Sequence, residues 1–347
     1  MPRGSRWALA VVLVASVFLV GVLDVVTGPV LDLTVLYLLP IVVGTLYVGR
    51  GFGIAEVVLA FFVEVAPPLL VGSNSPMLVA VDGLTHLLVR GAGVFLIFGL
   101  ARQLREITEL KRVRDSELEI ARQVQESFLT EPSQAPRGLD VGVRLEFYRE
   151  VGGDYYHLAG LGNRFFVCLA DISGKGVSAA LFSAVLNQAL TSALGQGSDL
   201  AAVVGVINQR LIGALPNDRF VTMFACMIEA DSLTYSIAGH ERPLVIRSAE
   251  SVLTLDDAAT IPLGIAEDLA VPTATIAFGV GDSILVVTDG VTESAPFAQD
   301  PHQLARVFAE TVASGAQAVC HGVVEVLHEA AGVRDDVAVV CVQRSEP

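Results

Sequence analysis

Phe165-Phe-Val-Cys-Leu-Ala-Asp171-Ile-Ser-Gly-Lys-Gly176 is six apolar residues, then a carboxylate, then a glycine-punctuated polar turn. A short apolar run bounded by turn formers reads as a buried strand, which puts Asp171 at the strand's end. The arrangement recurs. Asp289 follows the run 284–287 in Gly281-Asp-Ser-Ile-Leu-Val-Val-Thr-Asp-Gly-Val-Thr-Glu293, Asp335-Asp336 introduces the run 337–342, and Asp154 lies in Val151-Gly-Gly-Asp-Tyr-Tyr156. Any one Asp-Gly is an ordinary turn former. Four such sites, each abutting a hydrophobic strand, also match what a hard divalent cation takes: carboxylate oxygens on fixed backbone elements, with positions left for water.

Working outward, runs 141–147, 221–229, 234–238, 273–278 and 283–287 also read as strands, and 178–194, 200–214, 301–312 and 316–330 as helices. Central strands with paired helices after the first strands and again near the end predict a layered α+β domain.

The N-terminal hundred residues are of another kind. The chain is 53% hydrophobic with a mean hydropathy of +0.62, too apolar for a purely soluble protein. Four apolar runs, about 7–26, 33–48, 52–70 and 78–100, predict a transmembrane domain over 1–100. Arg3 and Arg6 precede the first run, Arg50 separates the second and third, and Arg102, Arg105, Lys111, Arg112 and Arg114 follow the fourth, whereas the alternate loops 27–32 and 72–77 have no Lys or Arg. Positive charge marks the cytoplasmic side, so both termini are expected there, in a multi-pass protein of the cytoplasmic membrane. Glu56, Glu64, Asp82 and Arg90 fall in or beside the runs and are expected to pair or to form a sensor site.

Residues 101–130 contain no Pro or Gly and place Ile107, Leu110, Val113, Ile120 and Val124 at spacings of three and four, broken by Glu117. This is an amphipathic signalling helix that offers a seam for a homodimer. Four of the 22 basic and five of the 37 acidic residues precede residue 101, which leaves 18 against 32 in the remainder. A field of that sign repels phosphate backbones and excludes nucleic acid as a partner. The four cysteines are scattered without a CxxC pair and read as buried thiols in a reducing compartment.

Ala121-Arg-Gln-Val-Gln-Glu-Ser-Phe-Leu129, Gly152-Gly-Asp-Tyr-Tyr156, Asp171-Ile-Ser-Gly-Lys-Gly-Val-Ser-Ala-Ala-Leu181, Phe220-Val-Thr-Met-Phe224, Ala238-Gly-His240, Pro262-Leu-Gly-Ile265, the segment 281–293 and Asp335-Asp336 occur in this order. Together they resemble the SpoIIE/RsbU branch of the PPM metal-dependent protein phosphatases, over roughly residues 117–343. The resemblance implies a β-sandwich flanked by helices (α/β/β/α layers) over 131–347, with two Mn²⁺ or Mg²⁺ ions at one edge. In it Asp171 is the bridging ligand, Asp154 and the Ile172 carbonyl complete one ion's shell, and Asp289 with Asp335 the other, Asp336 being the alternative to Asp335. Departures from the pattern are His157 in place of an acid, Ser178 in place of a Pro, Ala338 in place of a Thr, and Ser173 where the wider class often has a histidine. Lys175 and Ser173 are candidate phosphate contacts, although Lys175 also reads as an exposed residue at a helix start.

The implied activity is hydrolysis of phosphoserine or phosphothreonine on a regulatory protein, by resemblance a STAS-type anti-sigma-factor antagonist. The alternative is a catalytically weak membrane sensor whose phosphatase-like domain works by binding a partner. The basic-residue pattern gives the first testable outcome: reporter fusions after Arg50 and after Ala101 should score cytoplasmic and a fusion at Ser73 extracytoplasmic. A cytoplasmic score at Ser73 would remove the four-crossing topology.

Overall fold

The computed structural model describes residues 3–27, 34–71, 75–130, 135–174, 176–196, 199–216, 218–247, 252–330 and 335–346. The chain divides into two compact units, Met1–Arg114 and Asp115–Pro347.

The first unit has four apolar helical segments. Helix α1 is Arg3–Thr27; the second segment runs as a 3-10 turn Thr34–Tyr37, α2 Leu38–Val43 and a π turn Gly44–Val48; α3 is Arg50–Val71; and α4 is Pro76–Glu126. About 20 residues are needed to cross a hydrocarbon core of about 30 Å. Ser5–Val26, Arg50–Pro68 and Pro76–Glu126 are long and apolar enough, whereas Val35–Val48 is shorter. That segment carries Pro40, which lacks the N–H that a regular helix would use. Val17, Tyr37, Ile41, Val57, Ala60 and Val94 pack inward, while Val11, Leu19, Phe62, Leu88 and Leu96 stand exposed, the distribution expected of a surface facing lipid. Helix α4 runs unbroken through the point where the composition changes, about 75 Å at 1.5 Å per residue, and Leu104, Ile107, Leu110, Val113, Ile120 and Val124 lie exposed along it.

The second unit contains β1 Leu139–Glu146, β2 Asp154–Leu161, β3 Arg164–Ile172, α5 Val177–Leu194, α6 Leu200–Ala214, β4 Val221–Ile228, β5 Ser232–Ala238, β6 Leu244–Ile246, β7 Leu253–Thr254, β8 Ala259–Thr260, β9 Ala274–Ala277, β10 Ser283–Val287, α7 Asp289–Thr292, α8 Ala295–Gln299, α9 Gln303–Thr311, α10 Ala316–Glu329 and β11 Val337–Arg344. The strands form two sheets, β1-β11-β10-β6-β7 and β2-β3-β4-β5-β8, with β9 also on β5. Helix α5 is itself long and apolar enough to cross a membrane, but its buried face, including Leu186 and Leu190, packs in the core of this unit.

Both faces of the central strands are covered, which explains their continuous rather than alternating apolar runs. In β3, Phe166, Cys168 and Ala170 meet α5 and α6 through Leu190, Ile207 and Leu211. The alternate residues Phe165, Val167 and Leu169 face Ile284, Val286, Val340 and Val342 between the sheets. On the far side Leu285, Val287, Val339 and Cys341 pack on Phe308 and Val323 of α9 and α10. The layers are therefore α/β/β/α. All four cysteines are free and buried.

The period of two also fixes the acids. Asp154 shares the parity of Leu158, Asp171 that of Leu169 and Asp336 that of Ala338, so all three belong to the face between the sheets, where the core runs out. His157 has the opposite parity and lies on the helix side, its Nδ1 3.1 Å from the Tyr155 hydroxyl; burial holds its pKa down at about 4.

Phe224 is fully buried between the sheets. Phe224→Ala should cost about 3–5 kcal/mol, read from urea unfolding; a loss below about 1 kcal/mol would mean that this layer is not close-packed.

Candidate functional site

Strands β2 and β3 are antiparallel neighbours, and their register sets Asp154 directly opposite Asp171. On the other side of Asp171 stands Thr222 of β4. The second sheet contributes the residues at the end of β10 and the start of β11. Thr288, fully buried, donates its hydroxyl to Asp154 Oδ2 at 2.8 Å and accepts the Ala338 N–H at 2.9 Å. One side chain thereby ties the two sheets together at the acids. Asp289 follows and opens α7.

Asp336 is held by backbone donors: Oδ1 accepts from Tyr148 N at 2.9 Å and Oδ2 from Gly153 N at 2.8 Å. Asp335 Oδ1 accepts from the Asp336 N–H at 3.0 Å. Gly153 fits this corner because it has no side chain: a Cβ there would lie 2.6 Å from the Ile172 carbonyl oxygen and 2.9 Å from Asp171 Oδ1. The two atoms named as ligands by resemblance thus face one point. The preceding glycine is fixed from α4, where the buried Gln125 donates to the Gly152 carbonyl at 2.9 Å and accepts the Gly152 N–H at 3.4 Å.

Electrostatics shows what is gathered here. Burial, then the charges of Asp171, Asp336 and Asp289, push Asp154 well above the usual carboxylate range, and the Thr288 hydroxyl is the interaction that works against them. Three further carboxylates therefore act on Asp154 at this edge. Among the described residues no three His, Cys, Asp or Glu side chains already stand in a set able to hold an ion. The acids are instead spread over hydrogen-bond donors, as like charges require. Their hard oxygen chemistry fits Mg²⁺ or Mn²⁺.

Ser173 sits in the turn after β3. Its Oγ accepts from Phe220 N at 2.8 Å, its N–H reaches the Phe220 carbonyl at 2.9 Å, and its own carbonyl accepts from Arg219 Nη1 at 2.6 Å. The hydroxyl is thus part of the turn's framework. Gly174 has φ +106°, and a Cβ there would collide with the Arg219 guanidinium. Lys175 lies outside the described residues. His240 Nδ1 is 2.9 Å from Thr222 Oγ1, and burial lowers its pKa to about 3, which makes it a neutral group behind the acid row. Glu241 is raised by burial and by Asp289 and Glu293, which brings the loop after β5 to the Asp289 side of the site. Thr288, Gln125 and Arg219 carry no role in the sequence reading, although the motifs around Thr288 and Gln125 are part of the resemblance.

A family model described as Stage II sporulation protein E (SpoIIE) matches residues 162–345. Phosphoserine phosphatase RsbU of Bacillus subtilis is 28% identical over 203 residues, 58% of this chain and 61% of the relative. Phosphoserine phosphatase RsbP of the same organism is 27% identical over 188 residues, 51% of this chain and 45% of that one. The chain thus spans less than two thirds of either relative. Among solved structures, the SiaA-PP2C domain of Pseudomonas aeruginosa superposes with a TM-score of 0.60 at 20% identity, over 69% of this chain and 99% of the other. The two-sheet sandwich with flanking helices is the PP2C fold.

Asp154 gives a pH dependence with a definite sign. Its pKa is higher folded than unfolded, so this stabilising contribution is full below the unfolded value of about 3.9 and is lost as pH rises through the raised folded one. In chelator the melting temperature should fall as pH rises above the ordinary carboxylate range. Thr288→Val, which leaves the Ala338 N–H and Asp154 without that hydroxyl, should cost about 1–3 kcal/mol and extend the fall to higher pH. A melting temperature that climbs with pH across the same window would contradict this account of the acid cluster.

Proposed function

Given that the chain belongs to the SpoIIE family, we propose that it is a membrane-anchored, metal-dependent protein phosphatase acting on phosphoserine or phosphothreonine of a regulatory protein. The observation that carries this is Asp154, which feels Asp171, Asp289 and Asp336 at once with a single hydroxyl in opposition. A cluster of that sign suits cations and their phosphate ligands and is of no use to an apolar substrate. By the family resemblance, Asp171, Asp154, the Ile172 carbonyl, Asp289 and Asp335 would hold the ions. Both oxygens of Asp336 are engaged by Tyr148 N and Gly153 N, which favours Asp335 as the ligand and Asp336 as the group that fixes the glycine corner.

Two Mn²⁺ or Mg²⁺ ions would supply an acidified water for in-line attack on phosphorus and offset charge on the phosphoryl oxygens. The chain's own residues do the positioning. Thr288 orients Asp154 and works against the upward push on its pKa, the glycine at 153 lets Asp171 Oδ1 and the Ile172 carbonyl come close to the backbone, and Arg219 braces the turn that follows. Ser173 Oγ accepts from Phe220 N and serves the turn, and protonation of the leaving alkoxide is assigned to solvent. By family resemblance the substrate is a STAS-type anti-sigma-factor antagonist. The apolar helices hold the chain in the cytoplasmic membrane with the sandwich in the cytoplasm, and the exposed stripe on α4 suits a homodimer.

The test is Mn²⁺-dependent phosphate release from a phosphoserine protein by the full chain. Losing a residue that only orients metal ligands typically costs about 10–100-fold; Asp171→Asn and Asp289→Asn should lose more than that while melting cooperatively, and Ser173→Ala far less. Near-normal turnover by folded Asp171→Asn and Asp289→Asn would rule out the two-metal reading.

A further inference from the structure

One end of the N-terminal unit holds a small cavity of about 250 Å³, lined by Arg6 of α1, by Tyr47 and Gly49, and by Phe98, Arg102 and Arg105 of α4, among others. Arg6, Arg102 and Arg105 are exposed, and among the described residues their side chains enter no hydrogen bond or ion pair. Partners are within reach along the helix. Glu106 and Glu109 stand four residues beyond Arg102 and Arg105, the spacing at which helix side chains meet. Among the described residues neither pair forms, and Glu109 is instead 3.4 Å from Arg112. Further along α4 Arg122 does pair, with Glu126 at 2.8 Å. Three guanidinium groups therefore border one cavity with their charge unanswered.

The cavity lies where the apolar segments end. Arg6 stands at the start of the apolar stretch Ser5–Val26 and Gly49 directly before Arg50–Pro68, while Ala101, also in the lining, closes the apolar part of α4. That is the level of lipid head groups, where arginine reaches toward water and aromatic side chains collect. Tyr47 is exposed there, and the Phe98 ring faces the Arg50 guanidinium at 5.9 Å. Phe95, Leu96 and Leu100 lie exposed on the apolar side. A volume below the about 300–1,000 Å³ of sites that enclose a whole small molecule suits a head group whose chains stay outside.

We propose that this cavity binds the head group of an anionic phospholipid, with its phosphate on Arg6, Arg102 and Arg105 and its acyl chains along Phe95, Leu96 and Leu100. Guanidinium groups meet phosphate oxygens through paired N–H donors, and basic pockets between membrane helices suit such heads. A zwitterionic head would bring a fourth cation to a cavity that already has three. Free phosphate would answer the charge and leave the apolar wall uncovered. The proposal rests on the membrane reading of this unit and is independent of the phosphatase reading.

The experiment uses the full chain in detergent with equal amounts of phosphatidylglycerol and phosphatidylcholine, and counts retained lipids by native mass spectrometry. Phosphatidylglycerol should be retained in preference, and inorganic phosphate should not displace it. Arg102→Gln/Arg105→Gln should lower the preference by more than about tenfold, and Arg6→Gln, on another helix, by about fivefold. Arg112→Gln/Arg114→Gln removes the same charge from the same helix beyond the cavity and should leave the preference unchanged. All these side chains are exposed, so each variant should melt as the parent does. Equal retention of the two lipids, an equal loss in both double variants, or displacement by inorganic phosphate would overturn the proposal. Flotation with phosphatidylcholine liposomes tests the membrane reading separately: a chain that stays behind loses both, whereas one that floats without preferring phosphatidylglycerol loses only the head-group site.

Discussion

The sandwich depends on one conflict, the mutual repulsion of carboxylates placed where the apolar core ends. Period-two geometry sends Asp154, Asp171 and Asp336 to the same face as Leu158, Leu169 and Ala338, so the residues that build the core also fix the acids. The conflict is contained by donors that come from elsewhere in the fold: Thr288 from the opposite sheet, and the N–H groups of Tyr148 and Gly153 from the β1–β2 connection. Each donor is also a structural tie, so the same contacts hold the two sheets in register and keep the charges apart. The edge is consequently rich in carboxylates and tied by hydrogen bonds to both sheets.

Much of this was legible in the chain itself. The runs that became β3, β4, β10 and β11 are continuous because both of their faces are covered, and the acids at their ends stood out for the same reason. Strand β2 was not legible: Asp-Tyr-Tyr-His-Leu-Ala-Gly-Leu carries a histidine and a glycine and neither alternates nor forms an apolar run, and it is recruited by pairing with β3 along its whole length. Thr288 and Gln125 were invisible as participants because their meaning lies in partners 134 and 27 residues away. Nothing in a local pattern distinguishes a threonine that joins two sheets from one that faces water. The choice between Asp335 and Asp336 was closed to sequence for a similar reason, since neighbours of identical chemistry differ only in which backbone donors they meet.

The N-terminal unit obeys another solvent. Its small inward cluster and its broad exposed apolar surface invert the arrangement of the sandwich, and its polar contacts gather around Glu64, His86 and Arg90. Helix α4 belongs to both regimes. Its first part is almost free of charge, its later part is densely charged, and no Pro or Gly after Ala101 interrupts it, so one hydrogen-bonded element continues across the change in composition.

The four cysteines have a practical consequence. Cys168, Cys226, Cys320 and Cys341 are fully buried, and burial pushes all four thiols upward, Cys320 to about 12. The thiolate is the reactive form, so in the folded chain these four side chains are close to inert toward maleimides and other electrophiles. A single cysteine introduced on the surface would be modified on its own, without first stripping the native ones, and spin labels or fluorophores become selective by default. The same protection makes native thiol reactivity a direct report of opening: any of the four that begins to react has left the core.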